Sequence, residues 1–140
     1  MHNSPILIVE DDKDDSELLT SALLAIGVKN EFLYFQNPAE ALTYLQTTKK
    51  ETFLIISDIN MPVMNGFDFK KKINEDIGLF KKSIPFVFLS TTATRYLVNE
   101  AYTLSIQGYF QKPDDFKEMN EVAKSIIQYW KNCKHPTYYN

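Results

Sequence analysis

Cysteine is almost absent from this chain of 140 residues, which contains Cys133 alone. A single cysteine excludes an intramolecular disulfide and a metal site built from several thiolates, and it favours a reducing, cytoplasmic environment. Basic residues are not in excess, since the net charge is −3. The chain therefore has no overall positive field that would favour binding to nucleic acid or to an anionic membrane. No apolar run reaches the roughly 18 residues of a membrane-spanning helix. Acidic residues follow the N-terminus too soon for a secretory signal.

Apolar residues make up 44 % of the chain and aromatic residues 14 %, which is enough to build the core of one compact domain. Five short apolar runs recur, and four of them lack a clean polar alternation. That pattern is typical of strands buried on both faces of a parallel sheet. The predicted strands cover residues 6–9, 32–35, 53–56, 86–89 and 106–110.

Longer segments with helical spacing separate these runs. The first is expected to be capped by Asp14 or Asp15 and to end at Gly27. The others follow residue 37, residue 66 and the threonines of 91–94, and the last carries an apolar stripe over 116–130. Strand and helix therefore alternate five times. This alternation predicts a doubly wound α/β fold with right-handed crossovers.

Polar residues stand at the carboxyl ends of four predicted strands, where doubly wound folds bind their ligands. The pair Glu10 and Asp11 follows the first strand, Asp58 the third, Ser90 the fourth and Lys112 the fifth. Taken singly, these residues are explained by a helix-capping loop, a turn or an exposed lysine. Their coincidence at strand ends instead favours one functional site.

The chemistry of such a site follows from its charges. Two carboxylates about 5 Å apart repel by roughly 3 kcal/mol at an effective dielectric near 20, so Glu10, Asp11 and Asp58 would recruit a cation. Oxygen ligands select Mg²⁺, with Mn²⁺ as the alternative. A metal ion and Lys112 could neutralise a transferring phosphoryl group, with Asp58 as the nucleophile.

Four segments resemble the receiver domains of two-component response regulators, which histidine kinases phosphorylate on aspartate. These segments are ILIVEDD (6–12), ISDINMPVMNG (56–66), PFVFLST (85–91) and GYFQKP (108–113). The resemblance implies a flavodoxin-like (βα)5 fold whose five parallel strands have the order 2-1-3-4-5. It also implies a receiver domain over residues 4–131, an irregular and partly disordered tail over 132–140, and no output domain.

The resemblance further implies a role for each matching position. Asp58 is expected to be the phosphoacceptor. Asp11 and Asp58 are expected to bind the metal directly, Glu10 mainly through water, and Asn60 through its backbone carbonyl. Gly66 is expected to allow the turn that opens the third helix.

A second group of residues is implied to stabilise the phosphoryl group and to transmit its presence. Ser90 and Lys112 are expected to bind the phosphoryl oxygens. Ser90 and Tyr109 are expected to form a switch, in which the aromatic ring follows the serine hydroxyl. Lys112–Pro113 is expected to be a cis peptide bond, as is usual in the family.

The partners implied are a histidine kinase or a phosphotransfer protein as donor and an unknown downstream protein. The switch would remodel the face made by the fourth helix, the fifth strand and the fifth helix (α4-β5-α5 in a five-helix receiver). Homodimerisation through this face stays an open alternative. The resemblance implies a stand-alone regulator that catalyses only its own phosphorylation and slow dephosphorylation.

Two other functions are consistent with the same residues. A pseudo-receiver would bind partners without phosphorylation, but it usually lacks an acidic residue, the hydroxyl or the lysine, all of which are present here. A Mg²⁺-dependent phosphatase with an aspartyl-phosphate intermediate places a second aspartate two residues after the nucleophile. Here that position is Asn60, which cannot act as a general acid or base.

Overall fold

A computed structural model of the protein describes residues 3–136, which form one parallel sheet flanked by helices. The strands are β1 (Ile6–Val9), β2 (Phe32–Phe35), β3 (Leu54–Ser57), β4 (Phe86–Ser90) and β5 (Gly108–Gln111). The helices are α1 (Lys13–Ala25), α2 (Pro38–Thr47), α3 (Gly66–Glu75), α4 (Ile77–Lys82), α5 (Arg95–Tyr102) and α6 (Phe116–Asn132). The strand order β2-β1-β3-β4-β5, with every neighbouring pair parallel, confirms the predicted flavodoxin-like fold.

The core has two layers, one on each face of the sheet, because successive side chains of a strand point to opposite faces. In β1, Ile6 and Ile8 belong to a core cluster that includes residues of α1 and α6, whereas Leu7 and Val9 belong to a second cluster that includes residues of α2, α3, α4 and α5. All four are essentially inaccessible to solvent. This two-sided burial explains why β1 has no polar alternation.

The first helix begins differently from the prediction. Asp12 is its N-cap, and the Asp12 side chain accepts a hydrogen bond from the Asp15 N–H at 3.0 Å. The prediction that Asp14 or Asp15 caps the helix is therefore wrong, because both lie within its first turn. Gly27 follows the helix end with φ +88°, a left-handed conformation that glycine adopts without strain, as predicted.

The structure contains a short helix, α4, that the sequence pattern did not predict. Asp76 ends α3 and also caps α4, since its side chain accepts a hydrogen bond from the Leu79 N–H at 3.1 Å. Ser83, in the left-handed region at φ 52°, ends the helix. The face expected between the fourth helix, fifth strand and fifth helix is consequently α5-β5-α6 here.

One residue of the segment after α6 is packed into the core. His135 is fully buried, its Nε2 lies 2.6 Å from the carbonyl oxygen of Phe53, and the two rings stack with centroids 4.7 Å apart. The expectation of an irregular, partly disordered tail over 132–140 stays a prediction, since residues 137–140 lie outside the described part. The expected absence of an output domain stays a prediction.

The peptide bonds of the described residues are all trans, including Lys112–Pro113, so the expectation of a cis bond there is wrong. The trans form is the intrinsically preferred one for a bond that precedes proline. Within residues 3–136, no helix is both long enough and apolar enough to cross a membrane.

Candidate functional site

The carboxyl ends of β1, β3 and β5 carry the predicted site residues to one edge of the sheet. The Asp58 N–H donates to the Val9 carbonyl at 2.9 Å, which continues the β1–β3 pairing by one residue. The Lys112 N–H likewise donates to the Ser90 carbonyl at 2.7 Å and continues the β4–β5 pairing. Because hydrogen bonds between strands fix the backbones of Asp58 and Lys112, their side chains start from well-defined positions.

Lys112 is the centre of this cluster. Its ammonium donates hydrogen bonds to Glu10 Oε1 and to Asp15 Oδ2, the latter at 2.8 Å, and it lies 3.5 Å from Asp58 Oδ2. The side chains of Lys112, Glu10 and Asp58 are less than one-tenth exposed. The structure therefore brings together three of the predicted residues and adds Asp15, which the sequence pattern had indicated only as a cap.

The ionisation of the cluster follows from burial and from these contacts. Burial raises the pKa of Glu10 to about 7, because loss of hydration outweighs the hydrogen bond from Lys112, and the charge of Asp58 acts in the same direction. Burial opposes the charge of Lys112, but its hydrogen bonds to Asp15 and Glu10 outweigh it and raise the pKa of the lysine. Lys112 is therefore cationic at neutral pH, and Glu10 can release a proton when a cation binds.

The acidic residues meet the requirements of a site for a small divalent cation. Glu10, Asp11 and Asp58 each offer a carboxylate oxygen, and these oxygens lie within 4.8 Å of one another. Mg²⁺ takes six oxygen ligands and usually keeps several waters, so a cation held by these carboxylates would complete its coordination with water. Four carboxylates and one ammonium give the cluster a formal charge of −3 when all are ionised. The donor set therefore fits Mg²⁺ or Mn²⁺, and the exposed Asn60 lies two residues beyond Asp58.

Asp58 itself is held by its own loop. Its Oδ1 accepts a hydrogen bond from the Ile59 N–H at 2.7 Å, which leaves Oδ2 beside Lys112. The loop closes where the Gly66 N–H donates to the Ile59 carbonyl at 2.8 Å. A Cβ on Gly66 would lie 2.3 Å from the Asp58 carbonyl oxygen, so glycine is required by this close approach and not by a left-handed turn.

Known proteins are similar to this chain in sequence and in fold. The family model for the response regulator receiver domain matches residues 6–124. The chain belongs to the response regulator receiver family. Receivers are signalling modules of two-component systems and not enzymes that act on external substrates.

The relatives of this receiver agree with the match. Chemotaxis protein CheY-3 of Vibrio cholerae is 31 % identical over 127 residues, which cover 90 % of this chain and 93 % of CheY-3. The crystal structure of the phosphorylated cyanobacterial phytochrome response regulator RcpA has a TM-score of 0.83 and 27 % identity, covering 96 % of this chain and 99 % of that one. The Mn(2+)-bound form of response regulator Rcp1 has a TM-score of 0.81 and 26 % identity, covering 95 % and 99 % respectively.

The receiver also links Ser90 to Tyr109 through one backbone residue, Thr92. The Thr92 N–H donates to Ser90 Oγ at 3.3 Å, and the Thr92 carbonyl accepts a hydrogen bond from the Tyr109 hydroxyl. Ser90 is fully buried, whereas Tyr109 is half-buried. Burial raises the pKa of Tyr109, as does the charge of Asp58, so its hydroxyl keeps its proton and remains a donor. The sequence alone did not indicate that Thr92 joins the two residues.

Proposed function

We propose that this receiver accepts a phosphoryl group on Asp58 from a histidine kinase or a phosphotransfer protein, in a reaction that depends on Mg²⁺. The observation that carries the proposal is the position of the Lys112 ammonium, 3.5 Å from Asp58 Oδ2, beside a cluster of three carboxylates with room for a cation. CheY-3, RcpA and Rcp1 support it, since the RcpA structure is of a phosphorylated protein and the Rcp1 structure holds Mn²⁺.

The transfer itself needs one nucleophile and several positive charges. A carboxylate oxygen of Asp58 forms a bond to phosphorus while the phosphorus–nitrogen bond of the donor histidine breaks, and the imidazole leaves with the electron pair. Lys112 neutralises charge on the phosphoryl oxygens. Glu10, Asp11, Asp58 and the backbone of Asn60 would hold a metal ion, which would supply further positive charge there. Mn²⁺ would serve in place of Mg²⁺ at the same oxygen ligands.

Ser90 is suited to detect the product. In the structure its hydroxyl oxygen accepts a hydrogen bond from Thr92, which leaves its own proton available to a phosphoryl oxygen. The Tyr109 hydroxyl donates a hydrogen bond to the Thr92 carbonyl. A movement of residues 90–92 would therefore alter this hydrogen bond and the position of the Tyr109 ring. The phosphoryl group can shift the equilibrium between the inactive and active conformations only through contacts that are stronger in the active one. Ser90 and Lys112 would supply these contacts.

The α5-β5-α6 face is the surface that we propose to carry the signal. Tyr109 lies in its strand, and both of its helices carry exposed aromatic residues, which are Tyr96 and Tyr102 in α5 and Phe116 and Tyr129 in α6. Aromatic side chains are enriched in the cores of protein interfaces, and they supply much of the binding energy there. We propose that a downstream protein docks on this face, with a second copy of the receiver as the other candidate partner.

The decisive test is a measurement of intact mass after incubation with acetyl phosphate and Mg²⁺. The native chain should gain one phosphoryl group, which hydroxylamine should remove because it cleaves acyl phosphates. Asp58→Asn should gain none, whereas Asp14→Asn, which changes an exposed aspartate in the same acidic segment, should react like the native chain. A gain in Asp58→Asn equal to the native gain would overturn the assignment of the phosphoacceptor.

A second measurement separates rapid hydrolysis from a pseudo-receiver. If the native chain gains no mass, it is mixed with Mg²⁺ and beryllofluoride, a stable mimic of the phosphoryl group. Chemical-shift changes at Ser90 and Tyr109 would then support a receiver with a short-lived phosphoryl group. Unchanged signals would favour a module that binds its partner without phosphorylation.

A further inference from the structure

Lys70 is a buried cation that the phosphoryl chemistry does not use. It lies in α3 on the inward face of the helix, between the core residues Phe69 and Ile73, and only 7 % of its surface is exposed. A lysine is almost never buried this deeply without a partner of opposite charge, because taking the ammonium out of water is costly. Burial accordingly lowers the pKa of Lys70.

The contacts of Lys70 do not compensate its charge. Its Nζ donates to Asn74 Oδ1 at 2.8 Å and lies 5.6 Å from the centre of the Phe86 ring. Among residues 3–136, no carboxylate lies within 4.0 Å of this nitrogen. The amide of Asn74 is itself fixed, since it donates to the Leu104 carbonyl at 2.9 Å. The ammonium therefore has a rigid neutral acceptor but no counter-ion.

A cavity of about 180 Å³ adjoins this lysine, at the edge of the sheet opposite to Asp58. Lys70 lines it, together with the hydroxyl residues Ser83 and Ser105 and the amide residue Gln107. The Gln107 side chain is held in place, because its oxygen accepts from the Phe86 N–H at 2.7 Å and its nitrogen donates to the Ser105 carbonyl at 3.0 Å. The volume equals that of about six water molecules, which suits a small ligand and not a nucleotide.

The polar groups of the cavity are mainly hydrogen-bond donors. The hydroxyls of Ser83 and Ser105 make no hydrogen bond with the described residues, so both can donate to a ligand. Among the described residues, no acid lines this cavity: Asp68 and Glu75 of α3 line a different pocket. The carboxylate of Asp76, which caps α4, is engaged by the Leu79 N–H and by Gln46. An ammonium and two hydroxyls around a small cavity form an environment that recognises a negatively charged oxygen group.

We propose that the cavity beside Lys70 binds a compact oxyanion, either a carboxylate or a phosphate group, as a second ligand site of this receiver. The anion would supply the counter-ion that Lys70 lacks and would accept hydrogen bonds from the serine hydroxyls. The site is separate from the phosphoacceptor, since it lies beyond the amino ends of β4 and β5.

The test is a titration of the full chain, without Mg²⁺, with sodium acetate and separately with inorganic phosphate. Chloride keeps the ionic strength constant, and the backbone amide signals of Ser83, Ser105 and Gln107 are followed by NMR. At least one anion should produce saturable shifts of these three signals. The stronger of the two responses identifies the ligand as a carboxylate or a phosphate.

Two variants make the test specific to the buried ammonium. Lys70→Met keeps the length and apolar stem of the side chain, and its affinity for the anion should fall tenfold or more, as expected from the loss of a charge-assisted hydrogen bond. Lys72→Met removes an exposed charge from the same helix and should bind within a factor of two of the native chain. At an anion concentration of ten times Kd, the folding equilibrium constant of the native chain should rise about elevenfold.

Three results would overturn the proposal. The first is the absence of saturable shifts in the native chain with both anions, which can be read even if Lys70→Met fails to fold. The second is equal affinity in Lys70→Met and the native chain. The third is saturable shifts confined to residues around Lys112, which would place the anion at the phosphoacceptor site.

Discussion

Gly66→Ala tests how tightly Asp58, the phosphoacceptor that we propose, is held. The added Cβ would lie 2.3 Å from the Asp58 carbonyl oxygen and 2.9 Å from the Ile59 Cα, both of which are backbone atoms. Ordinary carbon–oxygen contacts are about 3.3 Å, so the chain must separate by about 1 Å. Overpacking of this kind costs about 1–3 kcal/mol of stability, and two backbone contacts place the loss near the upper end.

The same displacement should slow the chemistry, because the loop that moves is the one that carries Asp58. A misplacement of about 1 Å can lower a reaction rate about 100-fold. We expect the initial rate of phosphorylation by acetyl phosphate, followed by intact mass with Mg²⁺ present, to fall by roughly that factor. Urea unfolding monitored by circular dichroism gives the stability change in the same samples.

Gly78→Ala is the matched control. A Cβ at Gly78 in α4 would approach no atom closer than Asp76 Oδ1 at 3.4 Å, an ordinary contact. This variant should be as stable as the native chain or more stable by about 0.4–1 kcal/mol, since alanine has less conformational freedom than glycine in the unfolded chain. Its phosphorylation rate should be unchanged. Gly66→Ala with native stability and a native phosphorylation rate would refute the close-approach argument.

Three further expectations concern the charges of the site and the C-terminal segment. Lys112→Met should lose up to about 3–5 kcal/mol in urea unfolding, because it leaves buried carboxylates without their cation, and Glu10→Gln in the same chain should restore part of the loss. Burial raises the pKa of Glu10 to about 7, so Mg²⁺ must displace a proton below that pH, and its affinity measured by calorimetry should rise between pH 6 and 8. Release of no protons at pH 7, judged from two buffers of different ionisation enthalpy, would contradict this. His135→Ala should cost about 2 kcal/mol through lost stacking and a lost hydrogen bond, whereas the exposed Lys134→Ala should change stability by under about 0.5 kcal/mol. Equal losses of stability in His135→Ala and Lys134→Ala would show that the buried His135 ring does not stabilise the fold.

The site residues at strand ends could be predicted because short apolar runs indicate buried strands. In a parallel sheet, the residues that follow these runs lie at the same edge. Glu10, Asp58 and Lys112 were placed in this way, and the structure brings them together. Asp15 could not be placed, since its direction depends on how α1 docks on the sheet. In the acidic run from residue 10 to 15, several aspartates were equally plausible caps.

Features that depend on tertiary packing were also missed. The helix α4 is only six residues long, and its single buried residue, Leu79, provides no periodicity to detect. Lys70 is the first of three consecutive lysines, and only the docking of α3 on the sheet shows that it is buried while Lys71 and Lys72 are exposed. His135 follows the last helical pattern, and only the position of Phe53 in the folded chain shows why it is buried.

The distance along the chain between Glu10 and Lys112, 102 positions, has a consequence for the biosynthesis of the protein. At about 5–20 residues per second, the ribosome adds the lysine roughly 5–20 s after the glutamate. An unfinished chain therefore carries Asp58, the acceptor that we propose, without the Lys112 ammonium that lies beside it in the folded protein. On the proposed function, the site is complete only after β5 has been made and has joined the sheet, so we expect truncated or stalled products that end before Lys112 to be silent.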